Sequence, residues 1–478
     1  MIVDSKRMIP LHSGPVRGGC DFVLYWMQIQ RRAESNDALN FAVEQANAHG
    51  LPVLVYEGLR HDYPHASDRI HTFVLENARS MRNRLHEKGI GHAFYLERNR
   101  RDRRKIVKGL LRRAAMVVTD HYPAFIIPGH NRALARLAEA EGVAAVAVDS
   151  CGVVPLAEFP KREYAARTLR PRIHRLLPYC LVPVADPGPR RSGVRIDPGF
   201  RTEDWRESIA GKVASCAIDH RVPAVSGHLP GGRAAALARL KAFLADGLNR
   251  YDDESNDPSR NATSGLSPYL HFGMISAREV ALAVRGARPR SDRNAAAFLE
   301  QLIVRRELAF NFCAHEPRHN SLDALPDWAR RTLAEHDGDD REATYRREEF
   351  EQARTHDELW NACQDEIRLT GVMHNYVRML WGKKILEWSA SHAGALRTMT
   401  ALNDRYGLDG RDPNSYTSFL WCFGLHDRAW GERPVYGKIR SMSSDATRRK
   451  VDAAAYIARI RSLRAKANPK ADADADRP

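Results

Sequence analysis

The segment FVLYWMQIQRRAESNDALNFAVEQANAHGLPVLVYE, residues 22–57, decides the fold class. It opens on an apolar run at 22–27, passes a polar stretch to Asn36, continues as an amphipathic run that stops at Gly50, and ends on a second apolar run at 51–57. Short apolar run, helical period closed by glycine, short apolar run: this is the pattern of a βαβ unit. The rhythm continues with a helix over 67–88 closed by Gly89, a strand at 92–96, a helix after Asp102, a strand at 115–120, a further helix and a strand at 143–149. A doubly wound parallel sheet follows. No GxGxxG follows a strand and no GxxxxGK[ST] occurs, so neither a dinucleotide nor a nucleoside triphosphate is signalled.

At 478 residues and 43% hydrophobic the chain has material for two cores. We expect the α/β domain over 20–180, a Pro-, Gly- and Arg-rich interdomain linker over 181–232, and a mostly helical domain over 233–464. The low-complexity end, 465–478, reads as a disordered tail. Within the helical part, Ser276 and Glu279 form a capping-box pattern, and long helical segments are expected at 294–313 and 357–391. No apolar run approaches the roughly 18 residues of a membrane span, and residues 1–19 lack the apolar core of a signal peptide. A cytoplasmic protein without membrane association, monomeric by default, is expected.

Seven cysteines without a CxxC pair, at 20, 151, 180, 216, 313, 363 and 422, imply free thiols and no metal centre. A formal charge of +15 points to a polyanionic partner, because clustered Lys and Arg displace counterions from nucleic-acid phosphates. The basic run at 98–105 reads as a solvated helix start.

Three groups of residues carry chemistry. Thr263, Ser264, Gly265, Leu266, Ser267 and Pro268 offer hydroxyls and a glycine where backbone amides can approach phosphate oxygens; a helix cap uses the same residue types. Gln301 and Arg305 stand four apart in an apolar helical segment, so an amide and a guanidinium share one face and need partners if buried. Trp381 and Trp388 are seven apart, about 10 Å of helical rise on nearly one face, with Trp360 upstream. That spacing permits electron hopping between indoles; an aromatic core stripe has the same spacing.

The segments SGLSPYLHFG (264–273), FLEQLIVRREL (298–308), THDELWNA (355–362), MHNYVRMLWGKKILEW (373–388), LNDRYGLDGRDPNSY (402–416) and ERPVYGKIR (432–440) together resemble class II cyclobutane pyrimidine dimer photolyases. The resemblance runs from Val23 to about Ile460. It implies light-driven repair of ultraviolet-damaged DNA by electron transfer from reduced FAD, on an α/β domain followed by a helical FAD-binding domain.

It further implies FAD contacts from Tyr251, Ser264, Gly265, Leu266, Ser267, Arg305, Arg378, Asn403, Asp409, Gly410 and Asn414, with Arg305 as a phosphate partner, Arg378 paired to Asp409, and Asn403 at flavin N5. Trp381, Trp360 and Trp388 match a photoreduction relay with Tyr345 as accessory donor. Gln301, Asn375 and Asn403 take the catalytic positions, and Met379, Trp421, Trp430, Lys438 and Arg440 the region that meets DNA and lesion. A second antenna chromophore of the 8-hydroxy-5-deazaflavin type, or none, is compatible with the α/β domain.

Three departures bear on the lesion. Gln301 stands where dimer photolyases carry glutamate, and it is the residue typical of (6-4) photolyases and animal cryptochromes. The segment after Trp421 is one residue short, and Ser255 replaces an arginine before Asn256. Asn375 occupies what is often glycine. Dimer repair is therefore the expectation, with (6-4) repair using His374 as acid, and a cryptochrome-like photoreceptor, as alternatives.

Overall fold

The computed structural model describes residues 3–287 and 291–467. A six-stranded sheet comprises β1 (Met8–His12), β2 (Phe22–Trp26), β3 (Val53–Leu59), β4 (Gly91–Leu96), β5 (Ala114–Asp120) and β6 (Ala144–Val148), in the order β1-β6-β5-β2-β3-β4. The last five are parallel, in registers such as Val23 opposite Val53 and Val118 opposite Val146. Helices α1 (Asp37–Ala48), α2 (Asp68–Glu87), α3 (Ile106–Arg113) and α4 (Ile127–Glu141) connect them. Burial on both faces explains why β2 and β5 read as continuous apolar runs. Asn36 caps α1 by accepting from Ala38 N and Leu39 N, and Gly142, with φ +63°, ends α4.

The sequence reading missed β1, which pairs antiparallel with β6 at the sheet edge. Pro10 masks it; proline is tolerated there because an edge strand has one unpaired side. The switch point of the sheet, between β2 and β5, is closed by the chain itself. Asp120 accepts from the amides of Gln28, Ile29 and Gln30, and from Tyr25 Oη at 2.7 Å.

The aperiodic stretch 181–232 is fixed by backbone hydrogen bonds along the α/β layer: Gly193 N to Gly89 O, Glu203 N to Phe94 O, Ala217 N to Arg98 O and Asp219 N to Ala66 O. Gly193 passes so close to β3 that a Cβ would stand 2.3 Å from Val53 O. One short helix, Ile209–Ala214, interrupts it. Of the basic run, Arg98 pairs with Glu203 at 2.9 Å and Arg103 with Asp62.

The helical region holds the largest apolar cluster, built around Trp360, Trp381, Trp388, Phe350 and Phe423. Two expected helices are more broken than their patterns suggest. Segment 294–313 is Asp292–Leu299, a π-helical turn Glu300–Arg305, and Arg306–His315. Segment 357–391 splits into Glu358–Thr370 and Asn375–Trp388 at Gly371, whose φ is +82°. Ser276 caps Ala277–Gly286, but Glu279 turns to Arg233 at 2.6 Å and leaves the capping box half made. The final helix, Ala453–Ala467, carries 465–467 of the expected tail; 468–478 lie outside the described residues.

The two layers are latched by buried polar groups. Arg69 of α2 donates to Ile367 O and Arg368 O near the end of Glu358–Thr370, and to Tyr406 O at the end of His392–Tyr406. Glu307 accepts from Val153 N and Val154 N, and burial pushes its carboxyl up to about 7. Among the described residues no helix is long and apolar enough to cross a membrane.

Candidate active site

The helix break at Gly371 and the loop after helix His392–Tyr406 bring distant segments together. Asp409, nearly buried, accepts from Arg378 Nη2 on both oxygens at 3.0 Å and from Ser267 Oγ at 2.8 Å. Ser267 therefore faces Asp409 at the start of its own short helix, while Ser264 Oγ takes Leu266 N at 3.4 Å. Gly265 adopts φ +62°, and a Cβ there would stand 2.8 Å from Arg239 Nη1. Leu266 is buried in the core, and Tyr251 packs edge-on against Phe243 and Phe298.

Asn403 is fully buried. Its Nδ2 donates to Asp404 Oδ1 at 3.3 Å and Ser415 Oγ at 3.4 Å, and its Oδ1 has no partner. Arg378 Nε is likewise buried and unpaired. Buried polar atoms without partners are costly, so the unpaired acceptor on Asn403 and the unpaired donor on Arg378, linked through Ser415 and Asp409, are what a polar ligand would satisfy. Gly410 allows the close turn behind them: a Cβ would meet Asn403 O and Asp404 Cα, each at 3.0 Å. Asn414 donates from Nδ2 to Asp412 Oδ1 at 2.7 Å, within the N-cap of Pro413–Cys422. Asp412 also joins Tyr122 of the α/β layer, at 2.9 Å, to His271, at 3.1 Å.

Arg305 is not brought to the Ser264–Ser267 loop by any hydrogen bond among the described residues; it is half exposed and pairs with Glu300 at 3.3 Å. Arg239 is the guanidinium at that loop, and the sequence reading missed it. Its signal was faint, the second of two arginines in a helix of ordinary composition, Arg233–Ala245. Gln301 lies exposed on the π turn, and Asn375 is exposed at the start of its helix with half-buried Met379 one turn on. π turns concentrate at functional positions because the extra residue re-aims side chains. His374 is occupied structurally: its Nδ1 accepts Tyr376 N as the N-cap, and burial holds its imidazole below the ordinary value.

The three inner indoles do not stack along one helix. Trp360 and Trp388, from neighbouring helices, have centroids 6.2 Å apart, and Trp360 Nε1 donates to Trp381 O at 3.0 Å. Trp381 Nε1 donates to Gln364 Oε1 at 2.9 Å. Tyr345 reaches Trp388 edge-on at 5.9 Å. The contact order is Trp381, Trp360, Trp388, Tyr345.

Trp421 and Trp430 form a separate, outer pair. Arg440 stands over both rings, at 5.9 and 4.2 Å, and is held by Asp427 at 3.1 Å. Lys383 lies 4.8 Å from the Trp421 ring, and Lys438 is exposed on the adjoining turn. A surface groove of about 270 Å³ is lined by Arg162, Tyr164, Leu325, Pro326, Leu425 and His426. Of metal-capable groups among the described residues, His61, Asp62 and Glu97 lie together, but Asp62 is already paired with Arg60 and Arg103.

Comparison with known proteins places this geometry. The family model described as DNA photolyase matches residues 23–190. The chain is 39% identical to the deoxyribodipyrimidine photo-lyase of Methanothermobacter thermautotrophicus, over 92% of this chain and 95% of that one. It is 36% identical to the protein of that name from Oryza sativa subsp. japonica, over 96% and 91%, and 34% identical to that from Potorous tridactylus, over 91% and 81%. Among solved structures it is similar to a class III photolyase from Agrobacterium tumefaciens, with TM-score 0.68 at 18% identity over 93% and 87% of the two chains. It is also similar to the cryptochrome of Synechocystis sp. PCC6803, with TM-score 0.71 at 14% identity over 91% and 88%. At such identities these structures share the fold.

Proposed function

The chain belongs to the deoxyribodipyrimidine photo-lyase family, and we propose that it splits cyclobutane pyrimidine dimers in ultraviolet-damaged DNA with light. Members of this family bind FAD. The observation that carries the reading is the pair of buried, unpaired atoms Asn403 Oδ1 and Arg378 Nε, the latter on the guanidinium that Asp409 holds. These residues fit a flavin, with Ser264, Gly265 and Arg239 suited to its phosphates. FAD bound there supplies a light-excited one-electron donor to the dimer.

The chain's own groups then have separable roles. Arg378 keeps a fixed positive charge beside the ring system, held in aim by Asp409. Asn403 presents a neutral amide that donates or accepts without imposing a charge. The indoles of Trp381, Trp360 and Trp388, with Tyr345, offer a hopping route from the surface inward. Gln301, Asn375 and Met379 line the approach for the lesion, and Trp421 fills the stack beside it. Base flipping costs a few kcal/mol, least at a damaged step.

Dimers are favoured over (6-4) lesions because the relatives that match nearly the whole chain are deoxyribodipyrimidine photo-lyases, and because burial lowers the pKa of His374, the acid the second reading needs. Gln301 serves as an amide donor to a pyrimidine carbonyl, without a proton to share. The reading needs no second chromophore. Seven free thiols suit a cytoplasmic protein, and large exposed apolar side chains that occur singly suit a monomer.

The test uses purified protein on oligonucleotides with one defined lesion, in light and in darkness. Light-dependent loss of the cyclobutane dimer is expected. Repair of the (6-4) substrate alone, or none, would overturn the assignment.

A further inference from the structure

The relay ends at a phenol, and oxidising a phenol is a two-particle event. The radical cation of tyrosine is strongly acidic, so an electron leaves readily only if the proton has an acceptor already in place. Tyr345 has one. Its Oη lies 2.6 Å from His356 Nδ1, and the backbone N–H of His356 donates to the same oxygen at 3.0 Å. With that amide occupying an acceptor site on Oη, the complementary arrangement has the phenol hydrogen donated to Nδ1.

The imidazole is placed for little else. It lies against Trp388 at 4.8 Å and stacks on Tyr345 at 5.9 Å and 26°, so the indole, the phenol and the base are in mutual contact. Tyr345 N also donates to Trp388 O at 3.0 Å, fixing the phenol against the indole through the backbone. Trp388 is buried and Tyr345 is half-buried, while His356 is exposed. Electron entry and proton exit thus diverge at one residue.

We propose that His356 is the proton acceptor that couples Tyr345 oxidation to the relay; this rests on the relay reading above. With a light-excited oxidised flavin bound, an electron drawn inward through Trp381 and Trp360 would leave Trp388 as a radical cation. Tyr345 gives one electron to Trp388 and restores its closed shell. The Oη–H bond breaks and an N–H bond forms at His356 Nδ1. The products are a neutral tyrosyl radical and an imidazolium, which releases a proton from Nε2 to water. A thiol or other one-electron reductant in solution, with a proton, returns the radical to tyrosine.

Transient absorption and spin resonance after a laser flash on the flavin-loaded protein test this. In the parent, the tryptophan radical should decay as the tyrosyl radical rises, more slowly in D2O. In His356→Phe, which keeps an aromatic ring against Trp388, the tyrosyl signal and the isotope effect should be lost and the tryptophan radical should persist. In His356→Gly, added imidazole should restore the tyrosyl signal. An unchanged tyrosyl yield and isotope effect in His356→Phe would overturn the proposal while leaving the relay intact. If Tyr345→Phe leaves the tryptophan radical decay unchanged, Tyr345 is not the donor, and the relay's last step fails together with the proposal.

Discussion

The molecule contains two groups of tryptophans whose surroundings are opposite. Trp360, Trp381 and Trp388 are 0–1% exposed and contact one another across two helices, and Trp360 and Trp381 give their N–H groups to a carbonyl and an amide oxygen. Trp421 is half-buried and Trp430 is 38% exposed, under Lys383, Arg428 and Arg440 at 4.2–5.9 Å. A cation over an indole face stabilises the neutral ring and opposes its becoming a radical cation. Among the described residues one cation, Lys384, stands over an inner indole, 5.1 Å from Trp388, and Glu387 pairs with it at 2.7 Å. Residue type is therefore not what separates the inner group from the outer. The inner group is suited to losing an electron, and the outer group to holding a polyanion and stacking on a base.

The largest expected effect comes from cutting the inner group. Trp360→Phe should abolish flavin photoreduction, followed by absorbance under illumination, at a stability cost of about 1–3 kcal/mol from lost buried volume. Trp421→Ala should leave photoreduction intact but weaken binding of dimer-containing DNA by about 1–3 kcal/mol, the worth of one stacked base, read by titration.

Lys383 sharpens the comparison through pH. Burial pushes its ammonium down to about 8, below the ordinary lysine value that the unfolded chain keeps. The unfolded state then holds the proton more tightly, so the fold carries the full penalty below pH 8 and recovers stability as pH rises from 8 towards the unfolded value. Lys383→Met should raise the Tm at pH 7, by about 1–3 kcal/mol of stability, and the gain should shrink by pH 10. The smallest effect is expected at the rim. Lys438→Ala should reduce the slope of log affinity against log salt by about 0.9, one phosphate contact, without changing lesion preference.

Much of this was legible in the sequence. Period and glycine stops located β2 to β6 and their helices because parallel strands buried on both faces leave few alternatives to an apolar run. The pairing of Arg378 with Asp409, and the gathering of Trp360, Trp381 and Trp388, also emerged as expected. What escaped depends on geometry that period does not encode. Pro10 hid an edge strand, and one added residue per turn over 300–305 kept Arg305 beside Glu300. The approach of Arg239 to Gly265 is tertiary, across 26 positions of sequence, and leaves no local mark. Whether two tryptophans seven apart hop directly or through a third on another helix cannot be read from spacing alone.

The most direct measurement compares light-driven flavin photoreduction with dimer repair by chemically pre-reduced protein in Trp360→Phe and Trp421→Ala. The account predicts that Trp360→Phe fails to photoreduce yet repairs once reduced, and that Trp421→Ala photoreduces normally but binds and repairs poorly. Photoreduction lost in Trp421→Ala and kept in Trp360→Phe would contradict the assignment of inner relay and outer grip.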